Sequence, residues 1–263
     1  MTKLLFVGDM VGEVALAHLE ARMPELRAAY QPDFIVVNGE NLAITSGSSG
    51  YGNCGMTPDL LARLFALGVD AVTGGNHSWD GPYGRSIHDE ARLIRPLNYG
   101  RSAPGRGAII VQKDSLRLGV INVTSRSAME LADDPFEATE CQLEDWAGQT
   151  DALLVDFHGE SVTEKQTFGF AFDGRVTAVL GTHTHVATLD TQILPNGTAY
   201  VTDVGMTGPT AGVQGYAAPR FVHALSTRFP GDHPFTFALG PVTLGAVVVR
   251  FEGLRAVDIE RVL

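Results

Sequence analysis

Asp9, Glu40, Asn41, Asn76, His158, His183 and His185 are seven oxygen or nitrogen donors that share one context, the end of a short apolar run. The runs are residues 4–7 before Gly8-Asp9, 34–37 before Asn38-Gly39-Glu40-Asn41, 71–72 before Gly74-Gly75-Asn76-His77, 153–155 before Phe157-His158, and 179–180 before Gly181-Thr182-His183-Thr184-His185. Carboxylate, imidazole and amide oxygen without thiolate suit iron, manganese or zinc in a hydrolytic centre, not a cysteine-rich structural zinc site. Seven donors are too many for one catalytic ion with an open position, so two ions sharing a bridging carboxylate is the economical arrangement. The pattern points to a metal-dependent hydrolase. His183 and His185 would point the same way on an extended strand, whereas a continuing loop could splay them toward two adjacent ions.

The elements that must position these donors follow from periodicity. Apolar runs bounded by glycine and polar residues, alternating with helical stretches, read as strands buried on both faces. Ligands in such sheets collect at the carboxyl ends of the strands. Leu16, Leu19, Met23, Leu26 and Tyr30 form a helical stripe, which Pro24 is expected to kink or split. Thr57-Pro58-Asp59 opens a second helix as N-cap, first-turn proline and N-terminal acid, and Gly68 ends it. Residues 80–96 read as helical, as do 134–146. Residues 108–112 and 116–123 flank a short polar connection and read as an antiparallel hairpin, where a second sheet begins. Further hairpins are expected around Pro195-Asn196-Gly197 and Glu252-Gly253. The implied fold class is α/β, with two stacked sheets, helices outside, and one domain over residues 1–263.

Composition fits a globular enzyme, with 263 residues, 44% hydrophobic and 19% charged, enough chain to bury a large core. A formal net charge of −11 disfavours binding of long nucleic acid, which relies on Lys and Arg neutralising phosphates. A small phosphate-containing substrate stays open, because a bound ion can reverse the local field. No apolar stretch is long enough to span a membrane and no secretory leader is visible, so the expected location is the cytoplasm. Cys54 and Cys141 show neither a paired spacing nor a disulfide framework, and Cys54 lies in a glycine-rich loop that would expose it. His18, His88, His223 and His233 lack the strand-end context and receive no role. Residues 45–55 lack the ending of a phosphate-binding P-loop and read as a flexible surface loop. Residues 203–216 read as a glycine-rich loop that could lie on the substrate side.

The motifs Gly8-Asp9, Gly39-Glu40-Asn41, Gly75-Asn76-His77, His158 and Gly181-Thr182-His183-Thr184-His185 resemble the calcineurin-like metallophosphoesterases. More narrowly, Asn38-Gly39-Glu40-Asn41, Gly75-Asn76-His77-Ser78-Trp79-Asp80, Gly181-Thr182-His183-Thr184-His185-Val186 and Thr202-Asp203-Val204-Gly205-Met206-Thr207-Gly208-Pro209 are similar to the YmdB-like branch, over nearly the whole chain. Two departures from the wider superfamily recur here. Its Asp-x-His after the first strand is Asp9-Met10-Val11, and its bridging Asp is replaced by Glu40. The resemblance implies a four-layer α/β/β/α sandwich of two mixed sheets. It also implies one ion on Asp9, Glu40, Asn41 and His185, a second on Glu40, Asn76, His158 and His183, and Glu40 between them. The ions implied are iron or manganese, with zinc as an alternative. His77 resembles the family's proton donor; it could instead orient phosphate or be a supporting group held by Asp80. Asn41 and Asn76 could each be a turn-forming residue beside glycine.

The activity implied is phosphodiester hydrolysis of small cyclic nucleotides, 2′,3′ or 3′,5′, in a homo-oligomer. Attack would come from a water activated by the ions. A phosphomonoesterase or RNA-end phosphatase on the same centre, a metal-stabilised regulatory protein with weak hydrolysis, and an iron oxygenase are the alternatives. The oxygenase needs only two His and one carboxylate in its simplest form, fewer donors than are present.

Overall fold

The computed structural model describes residues 1–45, 47, 54–127, 129, 131–229 and 233–262. In chain order its elements are β1 (Thr2–Val7), α1 (Gly12–Tyr30), β2 (Phe34–Asn38), α2 (Pro58–Ala66), β3 (Ala71–Thr73), β4 (Leu93–Ile94), β5 (Ala108–Lys113) and β6 (Leu116–Thr124). These are followed by α3 (Pro135–Asp145), β7 (Ala152–His158), α4 (Val162–Ala171), β8 (Ala178–Thr182), β9 (Gln192–Ile193), β10 (Ala199–Val201) and β11 (Gly208–Tyr216). The last four are α5 (Ala218–Thr227), β12 (Phe237–Thr243), β13 (Ala246–Glu252) and β14 (Arg255–Arg261).

The strands form two mixed six-stranded sheets, ordered β14-β13-β1-β2-β3-β4 and β5-β6-β7-β8-β10-β9, with β11 and β12 as a separate pair. Alternation along β1 sets the layers. Leu5 and Val7 pack with Leu16, Leu19 and Leu26 of α1. Leu4 and Phe6 face the other way, against Leu118, Val120, Leu154, Leu180 and Val201 of the second sheet. The second sheet's outer face buries Ile121, Val123, Val155 and Phe157 against Phe168 and Phe172. The order is helix, sheet, sheet, helix. Within each sheet the central strands are parallel, β1-β2-β3-β4 in the first and β6-β7-β8-β10 in the second. Parallel strands bring their carboxyl ends to one edge, where the candidate ligands were expected.

The capping expectations hold. The Thr57 side chain accepts from Leu60 N at the start of α2, and Gly68 follows at φ +80. Asp134 caps α3 through Phe136 N and Glu137 N. The three hairpins are present as antiparallel pairs β5-β6, β9-β10 and β13-β14. The last of these returns to the first sheet, where β13 lies antiparallel beside β1.

Four expectations need correction. Pro24 does not split α1, which runs continuously through it. Leu16, Leu19, Met23 and Leu26 are buried on both sides of the proline, and burial at about 1.5–3 kcal/mol per large apolar side chain outweighs the local cost of about 3 kcal/mol. Residues 80–96 are not an α-helix; they hold turns, a 3-10 turn over Ser86–Asp89 and then β4. Gly81 has φ +80, and Leu93 and Ile94 pair with Val72 and Thr73, so the chain leaves the turn as an edge strand. Residues 208–216, expected as loop, are strand β11, whose register against β12 shifts between Pro209 and Ala211 and again between Ala211 and Tyr216, where Gly212 and Gly215 fall. Cys54 is buried, not exposed, while Cys141 is exposed. Of the 45–55 loop, residues 46 and 48–53 lie outside the described residues. Among the described residues no helix is long and apolar enough to cross a membrane.

Candidate metal centre

The donors are delivered by five strand ends, as β1, β2, β3, β7 and β8 stop just before or at them. Asp9, Glu40, Asn41 and His158 are buried. His158 Nε2 lies 2.8 Å from Glu40 Oε1, 3.0 Å from Asn76 Oδ1 and 3.1 Å from His183 Nδ1. His185 Nε2 lies 3.0 Å from Asn41 Oδ1. Two groups of possible metal-holding side chains result, Glu40-His158-His183 and Asp9-Glu40-His185, each with donor atoms within 4.8 Å of one another. Glu40 belongs to both.

This donor set fits a cation. Thr182 Oγ1 donates to Asp156 Oδ1 at 2.7 Å and lies 2.9 Å from His158 Nδ1. With its one hydroxyl proton engaged, the threonine oxygen accepts from Nδ1–H, so Nε2 is the nitrogen that faces the cluster and would offer its lone pair once a cation displaces its proton. A carboxylate oxygen, an amide oxygen and a second imidazole nitrogen then meet at one nitrogen, more acceptors than any single N–H could serve. Separations near 3 Å are those of neighbouring donors about 2.1 Å from a common centre. His185 is oriented alike, with Nδ1 at 3.0 Å from the Gln214 carbonyl and Nε2 turned to the site. Gly75 keeps the space open, since a Cβ there would lie 2.5 Å from both Glu40 Oε1 and His158 Nε2.

Electrostatics show how charged this pocket is. Burial disfavours both Glu40 and His158 in their charged forms. Their mutual attraction nonetheless holds Glu40 well below the usual carboxylate range and pushes His158 up to about 9. Asp9 is raised, chiefly by burial. His183 falls to about 3 through burial and the neighbouring His158 charge, so its imidazole is a neutral, lone-pair-bearing donor.

The two-way question about the His-x-His pair has a geometric answer. His183 and His185 both have positive φ, 97° and 65°, unusual for residues with a Cβ. The two rings therefore diverge, one into each donor group. The backbone is pinned by Asp203, whose Oδ2 accepts from Thr184 N at 3.1 Å and from Thr184 Oγ1 at 2.8 Å. Lys165, also buried, donates to the Thr182 carbonyl and to Asp203 Oδ2 at 2.6 and 3.0 Å.

His77 stands beside the donors. Its backbone N–H donates to Glu40 Oε1 at 3.1 Å and its Nδ1 lies 2.7 Å from Asp80 Oδ2. Burial works against its charge, but the Asp80 hydrogen bond and Glu40 together raise its pKa. It lines a cleft of about 370 Å³ with Glu40, Asn41, Asn76, Glu160, His183, His185, Gln214 and Tyr216. A larger groove of about 590 Å³, lined by Arg92, Arg106 and Trp146 among others, contains none of the donors.

Sequence reasoning did not single out Asp156, Lys165, Asp203, Glu160, Gln214 or Tyr216. Asp156 carried a usable signal, lying two residues before His158 on the same strand. Asp203 lay inside a quoted motif without a role. Cys54 forms a third compact group with His77 and Asp80; burial pushes its thiol up to about 12, so in the absence of a cation it stays protonated. None of His18, His88, His223 and His233 joins a donor group among the described residues.

With the site in view, the family can be stated. The family model described as "YmdB-like protein" matches residues 5–262. The chain belongs to that family. This YmdB-like chain is 39% identical to the 2′,3′-cyclic-nucleotide 2′-phosphodiesterase of Bacillus subtilis (strain 168), over 99% of its own length and 96% of the relative's. The crystal structure of a hypothetical protein from Thermus thermophilus superposes with TM-score 0.89 at 36% identity, covering 99% of this chain and 98% of that one. A Mycoplasma pneumoniae phosphatase does so with TM-score 0.88 at 28% identity, covering 99% and 92%. The YmdB-like chain is thus a hydrolytic metallophosphoesterase with the expected two-sheet sandwich, and its donor clusters are compatible with a metal site.

Proposed function

We propose that the protein is a dinuclear phosphodiesterase acting on small phosphodiesters, with 2′,3′-cyclic nucleotides as the first candidates and 3′,5′-cyclic nucleotides next. The carrying observation is the pair of donor groups that share Glu40 beside His77 in one cleft. The named activity of the Bacillus subtilis relative supports the choice of substrate. Asp9, Glu40, Asn41 and His185 would hold one ion and Glu40, Asn76, His158 and His183 the other, with iron or manganese preferred. When bound, such a pair supplies a strong nucleophile from water near neutral pH and positive charge for the phosphoryl oxygens.

The chain's own residues do the rest. Asp156 and Thr182 fix the tautomer of His158, and the Gln214 carbonyl fixes that of His185. Asp80 holds His77 by Nδ1, leaving Nε2 to give a proton to the departing alkoxide. Against the opposing effect of burial, Asp80 and Glu40 raise the His77 pKa, which favours the protonated form that such a donor needs.

Two further elements belong to this reading. The protein acts in the cytoplasm, consistent with free cysteines 54 and 141. It works as a homo-oligomer, for which exposed Leu225, Phe229 and Leu239 offer apolar contact surface; sedimentation of the purified chain decides this. The activity itself is tested by metal analysis of protein purified without added metal, followed by 2′,3′- and 3′,5′-cyclic nucleotides with Mn²⁺ or Fe²⁺. Two ions per chain and turnover of a cyclic diester are expected; no phosphoester turnover overturns the reading.

A further inference from the structure

The cleft that holds the donors has an unusual charge pattern for a phosphate site. None of the residues lining it is Lys or Arg, and the undescribed residues of the chain contain none either. Among the described residues that line it, the exposed carboxylate is Glu160. Glu160 follows β7 closely, directly ahead of Ser161, whose side chain caps α4. Its side chain is 59% exposed, with Oε2 3.3 Å from His183 Nε2. That edge of His183 is opposite the Nδ1 that meets His158, so Glu160 lies on the cleft side of His183, away from the buried donors. Asp9 and Glu40 are also acidic, but they sit beneath, where bound cations would offset them.

We infer that Glu160 is a charge-selective rim residue that makes the cleft favour monoanionic phosphodiesters over dianionic phosphomonoesters. The inference rests on the phosphodiesterase reading and adds its specificity determinant. A diester phosphate carries one negative charge at any working pH, whereas a monoester carries close to two above its second ionisation near pH 6. One more negative charge near the Glu160 carboxylate is repelled, and neither Lys nor Arg lines the cleft to offset the repulsion. Product release follows from the same charge. Hydrolysis adds water across one P–O bond, so the monoester product has one more ionisable oxygen than the substrate, and Glu160 disfavours its retention.

The test uses the full-length, Mn²⁺-loaded protein and two substrates with the same leaving group, bis(p-nitrophenyl) phosphate and p-nitrophenyl phosphate. The readout is the ratio of monoester to diester kcat/KM, with bound metal counted in each sample. Glu160→Gln keeps a hydrogen-bond acceptor for His183 and removes only charge; it should raise the ratio about fivefold, and Glu160→Lys should raise it further. Inhibition of diester hydrolysis by inorganic phosphate should tighten in the same order. A ratio unmoved in both variants overturns the inference, because a residue that merely orients His183 would change both substrates together. A wild-type protein that turns over neither substrate overturns the underlying reading instead, and this inference with it.

Discussion

His77 and His158 are close enough to share a carboxylate, yet their surroundings give them different work. His158 has both ring nitrogens committed, Nδ1 to Thr182 and Nε2 to the donor group. His77 is held by Asp80 through Nδ1 and lines the cleft. His77→Ala should therefore keep bound metal and lower kcat by about 10²- to 10⁴-fold, with a better leaving group restoring much of the loss. Asp9→Asn and His158→Ala should instead deplete the metal, read by elemental analysis of the same preparations. Loss of metal in all three would refute this division of labour. The gathering of the donors was legible in the sequence because each closes an apolar run. The supporting groups were less so: nothing local marks Lys165 as buried or Glu160 as a rim residue, since their partners lie on other strands.

At the level of elements, the loop after β8 depends on a buried ion pair. Lys165 projects from α4, and its ammonium joins Asp203 and the Thr182 carbonyl, while Asp203 anchors Thr184. Both charges are almost wholly buried, so removing one leaves the other unpaired, a loss of about 3–5 kcal/mol. Lys165→Met should lower the unfolding free energy by that amount and weaken metal binding through the strained His183–His185 backbone. Equilibrium unfolding with and without Mn²⁺ measures both effects.

The turn after β3 depends on His88 in a different way. His88 Nε2 donates to the Ser78 carbonyl at 2.9 Å, just beyond Asn76 and His77. Burial lowers its pKa in the fold, the hydrogen bond to Ser78 partly opposing. Between the ordinary value near 6.5 and the lower folded value, the unfolded chain binds more protons than the native one. Stability tied to His88 is thus complete above about pH 6.5 and declines as pH falls below it. Melting of chelator-treated protein at pH 7.5 and 5.5 should show a drop that shrinks in His88→Gln. The same turn shows where sequence reading failed: the 80–96 stretch has apolar residues that fit a helix, but its glycines and the pairing of Leu93 and Ile94 with β3 are decided by tertiary structure.

For the whole molecule, the donors come from both sheets. Asp9, Glu40 and Asn76 extend from the first, and His158, His183 and His185 from the second, so ions held between them would add to the apolar core and the buried hydrogen bonds of Asn38 and Thr73 to Asp156 that already join the two layers. That layering was readable from alternating apolar runs, whereas the β11-β12 pair was not, because glycine-rich β11 lacks the strand pattern and gains its register only against β12. Occupancy should therefore act as a clamp on global stability. A ligand bound only by the native state adds RT ln(1 + [L]/Kd), about 2.7 kcal/mol at a hundredfold excess over Kd. Removing metal with a chelator should lower Tm, and returning Mn²⁺ should restore it as a function of concentration. Glu40→Gln removes the charge shared by both donor groups and should abolish that dependence. In the metal-free protein the same substitution should lower Tm, because it leaves buried His158 without the carboxylate that holds its charge. A Tm insensitive to metal in the wild-type chain would mean that the donors do not join the sheets through a bound ion.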